Sequence, residues 1–371
     1  MLRLGIAGIG TIAKDYIGLI ADGRVPGVTL AALCSRNPDS MAAVLRQYPS
    51  ITPRVFTDYG AMLQSGAIDG VLICTPHGQH PAMTLAAVEA GLHVLCEKPV
   101  GIDADAVEGV LAALEKQPEL VCGVMYNRRA SGAYRKVKTL VEDGVLGELV
   151  RATWVITNLY RTNAYYASGA WRGTWETEGG GLLMTQASHQ LDLMQWLCGM
   201  PVSVLAQIAA VERNIQVENE AQLFLTYPNG AHGQFIASAH ECPGTNRLEL
   251  CGTRGSIIVT DDSAVELVRL QTDEGVFAAE CPNPFDKPPM DREQLFFDDS
   301  DNKIQQAATL QNFADAVSGR ATIQCSLAQG LCSLQIIQAA YVSAWQQRPV
   351  TMPLPRGQFG QAMQAHKETA G

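Results

Sequence analysis

Residues 176–199 read ETEGGGLLMTQASHQLDLMQWLCG and place polar groups where a buried helix has little room for them. After Gly179, Gly180 and Gly181 the spacing predicts one helix over 182–198, with Gly199 as its C-cap. At about 3.6 residues per turn, Thr185, His189 and Asp192 share one narrow stripe. Leu183, Met184, Ala187, Leu191, Met194 and Leu197 cover the rest. A helix that apolar is buried, and its polar groups need partners or a purpose. A histidine facing a substrate takes and returns a hydroxyl proton near neutral pH, and Asp192, one turn on, can orient its ring. The competing reading is a core histidine satisfied by Asp192 alone. A second reactive group is Lys98 in CEKPV, at the C-terminal end of a predicted strand, where ligands bind in open α/β sheets. A lysine there can polarise a carbonyl or favour an alkoxide. Otherwise it is a structural lysine paired with Glu97. Upstream of the glycines, Arg172 lies between aromatics and can hold substrate hydroxyls or an anionic group. Tyr165 and Tyr166 can line a sugar pocket, or can simply pack.

These residues need a scaffold, and the first third of the chain supplies a recognisable one. LRLGIA, VTLAALCS, GVLICTP, HVLCEKP and LVCGVMYN read as five strands alternating with helices, which implies a parallel sheet covered on both faces. The first turn carries Gly8, Gly10, Thr11, Ile12 and Ala13. Gly8 permits a tight turn, Gly10 lets backbone approach a pyrophosphate, and the helix start offers N–H groups to phosphate. The second strand ends in Cys34-Ser35-Arg36-Asn37, with no acid before Asp39. A hydroxyl and an arginine suit a 2′-phosphate, so NADP is the preferred cofactor, with NAD the alternative. Thr75, Pro76 and His77 follow the third strand and are expected at the cofactor, together with His80, Glu97, Lys98 and Asn127. Tyr126 is placed on the substrate side. His77 and His80 have a spacing open to a metal, but no carboxylate or thiol joins them, so no metal site is expected.

After residue 125 the pattern changes, which sets a Rossmann domain over 1–124 and a substrate-binding and oligomerisation domain over 125–371. One helix, SGAYRKVKTLVEDGVLG, precedes long apolar–polar alternations that predict a large, mostly antiparallel open sheet; Pro228-Asn229-Gly230 marks a hairpin. Residues 275–302 read as a long loop, and 303–318 and 326–347 as helices. Strand faces bearing Leu223, Leu225, Phe235 and Ala237 have few helices left to cover them, which predicts a homodimer or homotetramer through this sheet. The fold class is therefore α/β, with a Rossmann domain followed by an α+β domain.

The chain has 371 residues and a formal net charge of −10, with no basic run, which excludes a nucleic-acid or anionic-membrane partner. Ten cysteines without CxxC spacing read as reduced thiols of a cytoplasmic protein. No stretch is long and apolar enough to span a bilayer, and the N-terminus lacks the order of a signal peptide.

Taken together, GIAGIGTIA, SRNP, CTPHGQH, EAGLHVLCEKPVG, GVMYNRR, WRGTWETEGGGLLMTQASHQLDLMQWLCG and LELCGTRGSIIV resemble the Gfo/Idh/MocA family, in that family's order and over most of the chain. The resemblance implies a Rossmann domain, a second domain with a large open sheet, and association through that sheet. It also implies NAD(P)-dependent oxidation or reduction of a secondary hydroxyl on a sugar, cyclitol or related polyol. Lys98 matches the lysine of the family's EKP motif, which assists proton transfer, and His189 its acid/base histidine. Many members carry aspartate where this chain has Thr185, so the relay here runs without that carboxylate or with support from Asp192. Two other readings stay open: a retained-cofactor enzyme that cleaves or epimerises a glycoside through transient oxidation, and a non-catalytic NADP-binding regulator.

Overall fold

The computed structural model describes residues 1–169 and 171–370. The chain divides into two compact units, one built from 1–130, 177–179 and 301–334, the other from 131–176, 180–300 and 335–371.

The first unit holds a six-stranded parallel sheet of β1 (Leu2–Ala7), β2 (Val28–Cys34), β3 (Arg54–Phe56), β4 (Gly70–Ile73), β5 (His93–Cys96) and β6 (Cys122–Val124), in the order β3-β2-β1-β4-β5-β6. This is the doubly wound Rossmann order, and its switch point lies between β1 and β4. The inner strands are short and mostly apolar because both faces are covered; Leu4, Ile6, Leu33, Leu72 and Leu95 lie in the core. Ala13 and Ile17 of the helix Thr11–Ala21 pack on them, and so do Leu310 and Phe313 of the helix Asn302–Val317. β3 went unread in the sequence. Its three residues lie at the sheet edge and none is buried, so it carries no apolar run.

The second unit is built on a nine-stranded sheet: β7 (Leu149–Ile156), β8 (Ser203–Ala209), β9 (Glu220–Thr226), β10 (His232–Ser238), β11 (Asn246–Gly252), β12 (Gly255–Thr260), β13 (Ala264–Leu270), β14 (Met290–Phe296) and β15 (Val350–Thr351). Only β7 and β10 pair in parallel; the other neighbours are antiparallel. Strand periodicity puts Trp154, Leu223, Leu225, Phe235, Leu248 and Ile257 on one buried face. The expectation of an uncovered face at Leu223, Leu225, Phe235 and Ala237 is therefore corrected. These four residues are buried within the chain, and the exposed Leu205 and Phe224 of β8 and β9 are their out-of-phase neighbours, on the other side of the sheet.

Two further sequence expectations change. The stretch 275–302 is not a loop: the helix Glu274–Glu280 and strand β14 lie in it. β14 hides from pattern reading because it is an exposed edge strand of sequence MDREQLF. It is held to β13 by main-chain pairing and by the Arg269–Glu293 and Arg292–Glu266 ion pairs. The helix expected over 182–198 is two helices, Leu182–Thr185 and Ser188–Cys198. Both the Gln186 and Ala187 N–H groups donate to the Leu182 carbonyl, at 3.0 and 2.8 Å, and the second of these spans five residues. Such wide turns interrupt a helix without ending it. No helix among the described residues is long and apolar enough to cross a membrane.

Candidate active site

In the first unit the sheet edge at the switch point carries the dinucleotide turn. Gly8 has φ +89°, and a Cβ there would lie 2.8 Å from the Cys74 carbonyl oxygen, so no side chain fits. Gly10 caps the helix Thr11–Ala21 without a side-chain bond, and a Cβ at Gly10 would meet nothing within 4 Å. The helix start is thus open, with its N–H groups available to phosphate, and the turn fits a dinucleotide. Beside it, Ser35 at the end of β2 lies 3.1 Å from the Ser40 hydroxyl and accepts the Asn37 N–H at 3.2 Å, while Arg36 is exposed. Thr75 and His77 are half-buried and Pro76 is exposed.

His80, Glu97, Tyr126 and Asn127 are enclosed. His80 has no exposed surface; its Nδ1 lies 2.7 Å from the Pro99 carbonyl oxygen and its Nε2 2.8 Å from that of Thr75. It therefore ties the loop after β4 to the loop after β5. Two carbonyls call for two N–H donors. Burial, and then the Lys98 charge, nonetheless push the ring's pKa down, so in the neutral ring one of the two contacts is a donated bond and the other is not. Glu97 accepts from the Tyr16 hydroxyl and, at 3.0 Å, from the Lys98 main-chain N–H. Burial raises its pKa, against the opposing pull of the Lys98 ammonium. The Lys98 side chain itself is half-buried. Tyr126 is bonded to the Ser333 hydroxyl at 2.7 Å, and Asn127 donates to Asn302 at 2.8 Å.

In the second unit, one residue between Gly181 and Gln195 is not buried, and it is His189. Thr185 is 7% exposed and Asp192 0%. The Thr185 hydroxyl lies 2.6 Å from the Gly181 carbonyl oxygen and 2.7 Å from the Gln186 side-chain oxygen. Asp192 accepts from Gln195 at 3.2 Å. Gln186, at the break between the two helices, also donates to the Tyr165 hydroxyl at 2.7 Å, and Arg172 donates to the same hydroxyl. The Arg172 guanidinium sits 4.2 Å from the ring centres of both Tyr165 and Trp171, and Tyr166 meets Tyr165 edge-on at 5.2 Å. Thr185, Gln186, Tyr165 and Arg172 thus form one hydrogen-bonded line.

Sequence reasoning missed Gln186, Tyr16 and Glu218. Gln186 was masked by the assumption of one regular helix. Glu218 is 2% exposed and accepts from the Gly181 N–H at 3.0 Å, the Leu183 N–H at 2.9 Å and the Tyr341 hydroxyl at 2.9 Å. Burial outweighs these three bonds and raises its pKa from 4.5 to about 7. The protonated form is favoured on folding, so the stability it contributes is present at low pH and is lost as pH rises from 4.5 through about 7. By linkage the loss is at most on the order of 3 kcal/mol. Wild type is expected to melt at a higher temperature at mildly acidic than at mildly alkaline pH. In Glu218→Gln this difference shrinks, as thermal melts across that range would show. Among the described residues no group of three or more His, Cys, Asp or Glu is placed to hold a metal ion.

Residues 2–126 match the model of the oxidoreductase family with an NAD-binding Rossmann fold, and 134–258 that of the GFO/IDH/MocA C-terminal domain. The chain belongs to the Gfo/Idh/MocA family of oxidoreductases, a family of NAD-dependent sugar and cyclitol dehydrogenases. It is 28% identical over 356 residues to the uncharacterized oxidoreductase YrbE of Bacillus subtilis, covering 94% of this chain and 96% of that one. It is 29% identical over 204 residues to the inositol 2-dehydrogenase of Corynebacterium glutamicum, covering 54% of this chain and 55% of that one. Among solved structures it is similar to the WlbA dehydrogenase of Bordetella pertussis in complex with NADH and UDP-GlcNAcA, with a TM-score of 0.77 and 25% identity over 95% of this chain and 99% of that one.

Proposed function

We propose that the protein interconverts a secondary hydroxyl and a ketone on a sugar, cyclitol or related polyol, using a nicotinamide cofactor as the hydride partner. The observation that carries this reading is the exposure of His189, partly open on a helix whose other residues up to Gln195 are buried. A histidine placed so takes the hydroxyl proton in oxidation and returns it in reduction. Lys98 stabilises the charge that develops on the substrate oxygen. Arg172, with its guanidinium over the rings of Tyr165 and Trp171, orients the substrate ring through its hydroxyls or an anionic substituent. Thr185 and Gln186 hold that wall, and Asp192 supports the histidine's helix from within. The open turn at Gly8 and Gly10 receives the pyrophosphate, and Thr75, Pro76 and His77 line the nicotinamide side. His80, Glu97 and Asn127 act from behind, fixing the loops that touch the cofactor, and Tyr126 does the same for the substrate side. The test is whether members of a polyol panel are converted to the matching ketone, seen by NMR, only when NAD⁺ or NADP⁺ is added. Conversion without cofactor, or glycoside cleavage with no net cofactor reduction, points to a different reaction.

The relatives' names favour the sugar and cyclitol class: one is an inositol 2-dehydrogenase, and WlbA binds a nucleotide-linked sugar acid. For the cofactor, Ser35 and the exposed Arg36 at the end of β2 favour NADP over NAD. Arg36→Ala is expected to lower kcat/KM for NADP⁺ about tenfold, the worth of one charge-assisted phosphate bond, and to leave the value for NAD⁺ unchanged. Equal loss with both cofactors would remove the basis for the preference.

A further inference from the structure

Two of the three glycines before His189, Gly180 and Gly181, abut a buried polar cluster that lies far away in sequence. Gly180 has φ +155°, and a Cβ there would fall 2.2 Å from the Tyr341 hydroxyl oxygen. A Cβ at Gly181 would fall 2.0 Å from the Glu218 carbonyl oxygen. The backbone therefore passes as close to Glu218 and Tyr341 as glycine allows. Glu218 grips that backbone at three successive residues. Its carboxylate takes the Gly181 and Leu183 N–H groups, and its own carbonyl takes the Leu182 N–H at 2.9 Å. The grip is passed on along the chain. Leu182 accepts from Gln186 and Ala187, and Ala187 in turn accepts from Gln190 and Leu191, so these two bonds span His189 in the first turn of its helix. Tyr341, which donates to the carboxylate, is itself fixed by Trp175 edge-on at 5.1 Å and by Trp345 stacked at 5.7 Å.

We propose that Glu218 is a positioning residue for the reaction, clamping the Gly181–Leu183 turn and through it the pose of His189. The proposal rests on the reading of His189 as the acid/base. It predicts a role for ionisation, because three donors converge on the carboxylate, and protonation adds a hydrogen to an oxygen that already accepts and weakens the charge-assisted bonds. Titratable groups near it are few. Tyr341 touches it from the helix Leu327–Gln346. Glu220 of β9 and His366 of the helix Gln358–Ala370 line the same cavity of about 790 Å³. Burial holds the carboxyl close enough to neutrality for the clamp to loosen as pH falls through that range.

Glu218→Gln tests this without a change of volume. The new amide nitrogen replaces one acceptor, so either the Gly181 N–H or the Leu183 and Tyr341 donors face another donor. Tyr341→Phe removes one donor only and leaves the carboxylate in place. In protein with isotopically labelled histidine, the His189 resonances, assigned by their loss in His189→Ala, are followed through a pH titration. Both variants are expected to shift the apparent pKa of His189 by about half a unit or more, Glu218→Gln by the larger amount. They are also expected to lower kcat by about 10- to 100-fold with an unchanged dissociation constant for the cofactor. A purely structural Glu218 would lower the melting temperature and leave the His189 titration where it is. A folded Glu218→Gln protein with wild-type titration and kcat overturns the proposal. If that variant does not fold, a wild-type titration in Tyr341→Phe overturns it instead. If wild type converts no polyol, the reading of the reaction fails, and the His189 titration still decides whether Glu218 sets its pose.

Discussion

His189→Ala is expected to lower kcat by about 10²- to 10⁴-fold, the usual worth of a positioned general acid or base. The cofactor's dissociation constant should hold at the wild-type value, because the open dinucleotide turn belongs to the other compact unit. The wild-type rate should show a limb near neutral pH that disappears in the variant. The side chain is only partly exposed, so its removal should lower the melting temperature modestly while the protein stays folded. This pattern separates catalysis from the alternative of a histidine satisfied in the core. That histidine would give a large fall in stability and a small one in rate. Steady-state kinetics beside thermal melts distinguish the two.

Lys98→Met carries the second large effect. Methionine keeps the unbranched apolar stem of lysine and removes the ammonium. If the charge stabilises a developing oxyanion, kcat/KM falls by about 10²- to 10³-fold, in the range found for loss of one such donor. The competing role for Lys98 is to neutralise Glu97. That carboxyl is already bonded by the Tyr16 hydroxyl and by the main-chain N–H of residue 98, and both bonds survive the substitution. A variant that loses stability but keeps its rate would assign Lys98 to Glu97. One that keeps its fold and loses its rate would assign it to the substrate.

The two halves of the site differ in how far they could be read from the chain. The dinucleotide turn is local: Gly8 and Gly10 follow a strand and open a helix within a few residues, and each does what its type allows. Strands such as β2 and β5 are apolar runs because both their faces are covered, and they stand out for that reason. Thr185, His189 and Asp192 were legible as polar groups in an apolar run, though not as one stripe, since Thr185 ends one helix and His189 and Asp192 lie on the next. The break at Gln186 was not, because a bond spanning five residues leaves no mark on apolar spacing. Glu218 lies more than thirty residues beyond the glycines it holds, among other polar residues, and nothing local separates it from a solvated acid. The same limit applied to the second sheet. Alternation shows that a strand has a covered face. It does not show which of two apolar sets is the covered one, and Leu223 and Phe235 proved to lie inside while Leu205 and Phe224 lie outside. The helix Asn302–Val317 joins the first unit's core through Leu310 and Phe313, a relation between distant segments that local pattern does not carry.

On the proposed reading, this chain moves a hydride between a nicotinamide and a ring carbon bearing a hydroxyl. The most direct test follows the near-ultraviolet absorbance of reduced nicotinamide while wild type and His189→Ala, each with saturating NAD⁺ or NADP⁺, meet a panel of sugars, cyclitols and glycosides. Net cofactor reduction with at least one polyol, abolished in the variant although cofactor still binds, is the predicted result. Cofactor bound by wild type with no reduction on any member of the panel would contradict the claim, and would leave retained-cofactor chemistry or a regulatory role in its place.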